Sequence, residues 1–474
     1  MRTTIRLLLC LLLLTASQAA RANKTAPDRL NVIVLLADDM GWNGPSSFGS
    51  DLHRTPHLDQ LAKRGMKFTN AYAACTVCSP TRAAMMTGKY PARLHLTDWI
   101  AGQNRPWELL SIPDWNKRLE LSETTIAEAL RKRGYRTAHV GKWHLGSEGH
   151  MPEHQGFEIN VGGTLRGGPN GGYFLPNKMD LPEAKQGEYL TDHLTTQALK
   201  IIDNWQAEPF FLHFAYYTVH TPIQGKPDLV RQYEALVRPG AMHTNATYAA
   251  MFHSLDESVG RIVRKLNELK IADRTVILFT SDNGGLTQRL GKKNNITDNA
   301  PLRRGKGAAY EGGVRVPMIA YWPGVTRAGS RCDAPVMTID FFPTIMQMTA
   351  AIPGQQAEHK VDGKSFVPLL QGKPSISRDA LFWHYPHYHA GGDHPYGAIR
   401  NGHWKLIEFY HDQSIELYNL DKDIGEATNL ADKEPARAQR LLAELRSWRR
   451  SVAAQMPTRN PRYDPSKALL PASR

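Results

Sequence analysis

The sequence predicts an α/β fold, a large β-sheet sandwiched by helices with a small C-terminal α+β subdomain, on three observations. Apolar runs such as NVIVLL (31–36), PFFLHFAYY (209–217) and TVILFTS (275–281) are the kind buried on both faces of a sheet. The stretches between them carry apolar residues at helical spacing. The 474 residues are too many for one ordinary small domain and suit a large domain plus a smaller one.

In chain order, residues 1–22 begin with the basic MRTTIR and continue with the apolar LLLCLLLLTA. They end in the A-x-A-like Ala20, Arg21 and Ala22, the pattern of a secretory signal peptide. The apolar run is far shorter than the ~20 residues that cross a bilayer. The mature chain is therefore expected to be secreted or periplasmic, with no membrane span. Residues 23–355 are assigned to the large domain and 356–474 to the small one. Thr55 is placed to cap a helix that takes Pro56 in its first turn, buries Leu58, Leu61 and Ala62, and stops at Gly65. In CTVCSPTRAAMMTGKYPARL (75–94), Ser79 can cap a helix, Pro80 suits its first turn and Gly88 ends it. Ile126, Ala129 and Leu130 form one face of the next helix, Gly134 stops it, and the strand YRTAHV follows. Residues 149–188, rich in Gly, Pro and Asn, show no period and read as a surface excursion whose Arg166, Asn170 and Tyr173 face either substrate or solvent. Helices are expected over about 191–205 and 248–270, each followed by one of the buried strands, and a last one in DFFPTIMQMTA. Gly, Pro and Gln around 352–357 mark the boundary. Beyond it ALFWHY, GAIRNGHWKLIEFY and SIELYNL read as short strands joined by turns at Gly402 and around Asp412 into an antiparallel sheet. A helix in ARAQRLLAELRSWRR follows, and the tail KALLPASR reads as loose.

The formal charge of +13 falls by three, to +10, without Arg2, Arg6 and Arg21. Such a balance favours an anionic partner or simply a solvated basic surface; no nucleic-acid-binding motif is present. Beyond Cys10 only Cys75, Cys78 and Cys332 remain, too few for a disulfide framework, although Cys75 and Cys332 are left to pair if Cys78 is modified.

Residues with chemistry collect where buried strands end, the place at which open α/β sheets bind ligands. Asp38 and Asp39 follow the first strand, as metal ligands or as a polar loop. Lys142 and His144 follow YRTAHV at alternate positions, pointing the same way. His220 precedes a Thr-Pro turn, and Asp282 and Asn283 end TVILFTS. With Asp38 and Asp39 they form an oxygen-only set that suits calcium or magnesium rather than zinc. Lys306 lies in a basic, glycine-rich turn. Cys78 sits at a helix mouth, where N–H groups favour an anion and would lower a thiol pKa, or it is a small apolar filler.

CSPTR followed by TGKYPARL resembles the signature of the type I, formylglycine-dependent sulfatases, the arylsulfatase A-like branch of the alkaline phosphatase superfamily. LLADDMGW, GKWHLG, the H-x-P element at His220 and PLRRGKG resemble further motifs of that family, in the family's order. The resemblance implies a large mixed sheet of alkaline-phosphatase-like topology with a small C-terminal α+β subdomain. It implies that a maturase oxidises Cys78 to Cα-formylglycine, held by Arg82, and that Asp38, Asp39, Asp282, Asn283 and the modified Cys78 bind calcium, with magnesium as the alternative. Lys142, His220 and Lys306 are implied to hold sulfate, His220 to protonate the leaving alcohol, and His144 to act as base toward the formylglycine hydroxyl. HYPHY followed by AIRNGHWKLIEF resembles a segment of microbial arylsulfatase A-like enzymes that act on sulfated carbohydrates. It implies exo-desulfation of a galactose or N-acetylgalactosamine sugar, such as a 4-sulfate, with His387, His389 and Arg166 as substrate contacts. The alternatives are a phosphonate monoester or phosphodiester hydrolase with the same signature, and a glycan-binding protein with unmodified Cys78.

Overall fold

The computed structural model describes residues 29–289, 292–293, 296–349, 360–391 and 394–468. The expected signal peptide and the expected domain boundary both lie outside these residues. Eight strands form one mixed sheet in the order Ser330–Cys332, Met66–Phe68, Met318–Tyr321, Thr275–Ser281, Asn31–Ala37, Phe210–Ala215, Arg136–Gly141 and Ile159–Val161. Asn31–Ala37 lies at the centre, parallel to both Phe210–Ala215 and Thr275–Ser281, whereas Met318–Tyr321 runs antiparallel. All seven residues of the central strand are buried, as its unbroken apolar run requires.

The alternation of side chains along that strand divides the core into two layers. Val32, Val34 and Leu36 pack with residues of the helices Cys78–Thr87, Ile126–Arg131 and Phe341–Met348. Ile33, Leu35 and Ala37 pack on the other face with Pro56–Arg64, Leu190–Asn204 and Ala246–Glu268. Helices cover both faces, so every parallel strand delivers its carboxyl end to one rim of the sheet.

Several local expectations are corrected. The helix bearing Cys78 starts at Cys78 itself, with Val77 at its N-cap. Ser79 is already helical, and its Oγ accepts the Ile100 N–H at 3.2 Å. Thr55 stands at the N-cap of its helix without capping it, because its hydroxyl is engaged with Ser46 and Asp59. The excursion at 149–188 contains the edge strand Ile159–Val161, paired in parallel with Arg136–Gly141. Helix Pro227–Glu234 had no counterpart in the sequence reading. Cys75 and Cys332 are free buried thiols in separate core clusters.

Towards the C-terminus, Leu381–Tyr385, Tyr396–Asn401, Trp404–Phe409 and Ile415–Asn419 form an antiparallel sheet in that order. Leu441, Leu442 and Leu445 of helix Pro435–Ser451 cover one face through Ile399, Leu406 and Leu417. The other face, with Trp383, Tyr385, Ala398 and Ile407, packs against Tyr72, Tyr90 and Tyr310 of the preceding chain. Within that contact Lys405 Nζ is fully buried, 2.9 Å from Glu311 and 3.0 Å from Glu426. Removing one partner of a buried ion pair strands the other charge. Lys405→Met is therefore expected to cost about 3–5 kcal/mol, read as a lower urea midpoint; an unchanged midpoint would show that the pair does not tie the small sheet to helix Glu311–Val314.

Candidate active site

At the carboxyl rim of the large sheet, the three central parallel strands end in Asp38–Asp39, Asp282–Asn283 and the loop to His220. The neighbouring strand ends at Gly141, whose φ is +96° and where a Cβ would overlap the Ala215 carbonyl, so only glycine allows the chain to turn into the site. Lys142 and His144 follow directly on this strand, as expected, but outside its extended run, and His144 itself has φ +60°. Both side chains are buried.

Three carboxylates and three cations interlock here. Arg82 donates Nε and Nη2 to Asp282 Oδ2 at 2.9 and 2.7 Å, and Nη1 to the Lys142 carbonyl. Lys142 Nζ is 2.7 Å from Asp38 Oδ2, and Lys306 Nζ is 2.6 Å from Asp39 Oδ1. Burial and repulsion from Asp282 push the Asp38 carboxyl well above its ordinary pKa. Burial acts in the same sense on Asp39 and Asp282, but Lys306 and His220 hold Asp39 below the ordinary range and Arg82 does so for Asp282. The charges balance before any ion is added, so a divalent cation leaves the site net positive and attractive to an anion.

The donors fit a hard cation. Asp38 Oδ1 and Asn283 Oδ1 are buried oxygens without a hydrogen-bond donor, and ligand atoms of Asp38, Asp39 and His220 lie within 4.8 Å of one another. Oxygen atoms predominate, as calcium and magnesium prefer. Asp282 is more occupied: beyond Arg82, its Oδ1 accepts the Asp39 N–H at 3.2 Å.

Cys78 lies buried at the head of its helix, facing a cavity of about 560 Å³ that Asp39, His144, His220, Lys306, Trp99 and His389 also line. Burial raises its thiol pKa although Lys142 and Lys306 oppose the shift, so the expected lowering by the helix mouth does not prevail. His144 Nε2 meets the Ile100 carbonyl, which can only accept; Nε2 therefore carries the proton and Nδ1, buried and unpartnered, holds the lone pair. Burial, then Lys142, keeps this imidazole neutral. By the same reasoning His220 Nδ1 donates to the Thr221 carbonyl at 2.7 Å and leaves Nε2, 3.7 Å from Asp39, as the acceptor. Burial lowers the His220 pKa to about 3, and an anion beside it would act in the opposite direction.

The three expected sugar contacts separate. His389 lines the cavity and stacks close over the lysine loop: Gly307 has φ +88°, and a Cβ there would overlap the His389 ring. His387 does not line this cavity, because its ring is buried with Nε2 2.8 Å from Thr97 Oγ1. Arg166 is exposed and absent from the lining, which takes Gly167 and Gly168 instead. Tyr173 is buried and donates its hydroxyl to the carbonyls of Tyr217 and His220, so it shapes the His220 loop. Trp99 was missed in the sequence; a lone tryptophan in an aperiodic stretch carries no signal.

The family model for sulfatases matches residues 30–351, and the one described as N-sulphoglucosamine sulphohydrolase, C-terminal, matches 305–451. A sulfatase of Formosa agariphila is 31% identical over 91% of this chain and 90% of its own. The N-acetylgalactosamine-6-sulfatase of Sus scrofa is 34% identical over 76% of this chain and 70% of its own. Among solved structures, that of Ps i-CgsB in complex with k-i-k-neocarrahexaose has a TM-score of 0.73 at 27% identity, over 93% of this chain and 96% of that one.

Proposed function

Because the chain belongs to the sulfatase family and is a sulfuric ester hydrolase, we propose that it removes sulfate by exo-attack from a galactose or N-acetylgalactosamine sugar, a 4-sulfate foremost. The observation that carries this reading is the cavity over Cys78, in which Trp99 and His389 rise beside Lys306 and His220. An aromatic face and an imidazole suit a sugar ring, and the cations suit its sulfate. The names of two relatives support the carbohydrate part of the reading and not the 4-position: one is an N-acetylgalactosamine-6-sulfatase and the other was solved with a neocarrahexaose.

In this reading a maturase oxidises Cys78 to Cα-formylglycine, which supplies the nucleophilic hydroxyl. Held by Asp38, Asp39, Asp282 and Asn283, calcium, with magnesium as the alternative, would supply Lewis-acid charge. Lys142 and Lys306 place positive charge against the sulfate oxygens, and their present ties to Asp38 and Asp39 keep them buried and oriented. Arg82 fixes the first helical turn against Asp282, so the residue at 78 cannot swing away. His220 presents Nε2 toward the site and donates from it to the leaving oxygen once the anion has raised its pKa. His144 offers the Nδ1 lone pair as base for the remaining hydroxyl. The reading includes a secreted or periplasmic location, which rests on the signal-peptide pattern of residues 1–22.

A panel of mono-sulfated monosaccharides, aryl sulfate, aryl phosphate and phenylphosphonate tests it. Sulfate release from the galactose-type sugars, with phosphorus esters turned over far more slowly, is the expected result. Activity confined to aryl sulfate would overturn the carbohydrate reading, and dominant phosphonate turnover would overturn the preference for sulfate.

A further inference from the structure

Beside the cavity over Cys78 lies a second one of about 210 Å³, and Gln103 lines both. Three distant segments build its walls: Gln103, Asn104 and Arg105; His387 and Tyr388; and Asn460 with Arg462. The last segment is anchored firmly. Strand Thr458–Arg459 pairs with Leu110–Ser111, and Asn460 donates Nδ2 to the carbonyls of Pro106 and Glu108 at 2.9 and 2.6 Å. At the back, Asp98 accepts the Tyr385 hydroxyl at 2.7 Å, and the buried His387 pairs with Thr97. Two of the three residues expected on sequence grounds to meet the sugar, His387 and His389, therefore stand at different cavities that share Gln103.

The linings differ in character. The first cavity holds the reacting groups. The second holds none of them, but it presents the exposed Arg462 and Arg105, whose Nε is held by Glu108 at 2.6 Å and whose two Nη groups carry its other donors, together with the amides of Gln103 and Asn104 and, at the back, the Asp98 carboxyl. Its volume is below the ~300–1,000 Å³ of pockets that enclose a whole ligand, and it suits one ring. Guanidinium groups select planar or tetrahedral oxyanions, and amides select hydroxyls.

We propose that this second cavity is a subsite for the sugar adjoining the one that loses its sulfate, and that it selects a neighbour bearing its own anionic group, a sulfate ester or a uronic carboxylate. The inference rests on the carbohydrate reading above and adds to it a preferred substrate, an oligosaccharide charged on consecutive units. Arg105 and Arg462 supply the selection; Asn460 and His387 hold the walls on which they stand.

Steady-state kinetics of the full chain with five probes tests this: aryl sulfate, a galactose monosulfate, a disaccharide sulfated only on its terminal unit, and two disaccharides whose second unit carries either sulfate or carboxylate. The expected result is a KM for one of the doubly charged disaccharides about tenfold below that of the singly sulfated one. That advantage is expected to disappear in Arg462→Ala and in Arg105→Ala, while their aryl sulfate kinetics report an intact reaction centre. The sulfate and carboxylate arms identify which anion the subsite takes. Equal KM for singly and doubly charged disaccharides overturns the subsite while leaving the carbohydrate reading standing. A uniform loss on all five probes in the variants also overturns it, since that marks a structural role. Absence of turnover on every sugar by the unaltered enzyme overturns both.

Discussion

Cys78→Ala is expected to lower sulfate ester hydrolysis by at least about 10⁴-fold while leaving the fold in place. The two halves of that expectation come from different parts of the structure. Cys78 carries the one thiol among the described residues lining the 560 Å³ cavity, which Lys306, His144 and His220 also face. Every charge around it, from Arg82 to Asp282, is arranged by partners other than its sulfur. Its helix is held from elsewhere as well: Thr81 Oγ1 donates to the Cys75 carbonyl, Ser79 accepts from Ile100, and Gly88 closes the C-terminus on Ala84. Removing one sulfur costs roughly 1 kcal/mol of packing, so thermal unfolding should move by only a few degrees. The thiol itself is held protonated by burial, and an unmodified cysteine here is a poor nucleophile. Activity is therefore expected to follow the fraction of chains in which mass spectrometry finds an aldehyde at this position. Full turnover by the alanine variant, or by a preparation carrying only the thiol, would overturn the assignment.

Much of this arrangement was legible in the sequence because strand and chemistry are contiguous there. NVIVLL runs directly into Asp38 and Asp39, and TVILFTS into Asp282 and Asn283, so reading a buried strand also locates a ligand. The mixed sheet covered on both faces and the four-stranded antiparallel sheet agree with the expected fold class. What escaped notice depends on partners far along the chain. The edge strand Ile159–Val161 is three residues long and carries a polar Asn160, and only its pairing with residues 138–140 makes it a strand. Thr458–Arg459 is likewise defined by Leu110–Ser111, more than 300 positions earlier. Local propensity misled where tertiary contacts claimed a side chain first. Ser79 and Thr55 have the chemistry of caps, but Ile100 uses one hydroxyl and Ser46 the other. His387 and His389 look equivalent in HYPHYHA, and two positions apart on an extended strand they would share a face; the strand ends at Tyr385, and the irregular chain beyond it sends them to different cavities, which periodicity could not foresee.

Exhaustive chelation, checked by elemental analysis, is expected to lower activity on the order of 10³-fold or more, with recovery on addition of calcium. Asp38 Oδ1, which has Arg82 Nη2 at 3.8 Å, and Asn283 Oδ1 are the reason: both are buried and accept no hydrogen bond, and a buried polar atom left unsatisfied costs about 1–3 kcal/mol. A hard cation answers both at once. Loss of the ion is not expected to unfold the chain, because Lys142 and Lys306 already neutralise Asp38 and Asp39 from within. The linked loss of stability should be that of any ligand bound only to the native state, about 2.7 kcal/mol when it is present at a hundredfold excess over its Kd. Calorimetry would register this as a lower Tm for a protein that remains folded and cooperative. Asn283→Ala should weaken calcium affinity without disturbing the Arg82–Asp282 pair, since Asn283 donates only to Asp39 and to the Gly284 carbonyl. An unchanged rate after verified removal of the ion would mean that the three cations alone carry the charge of the reaction, and the oxygen cluster would then be a structural counterweight to Arg82, Lys142 and Lys306.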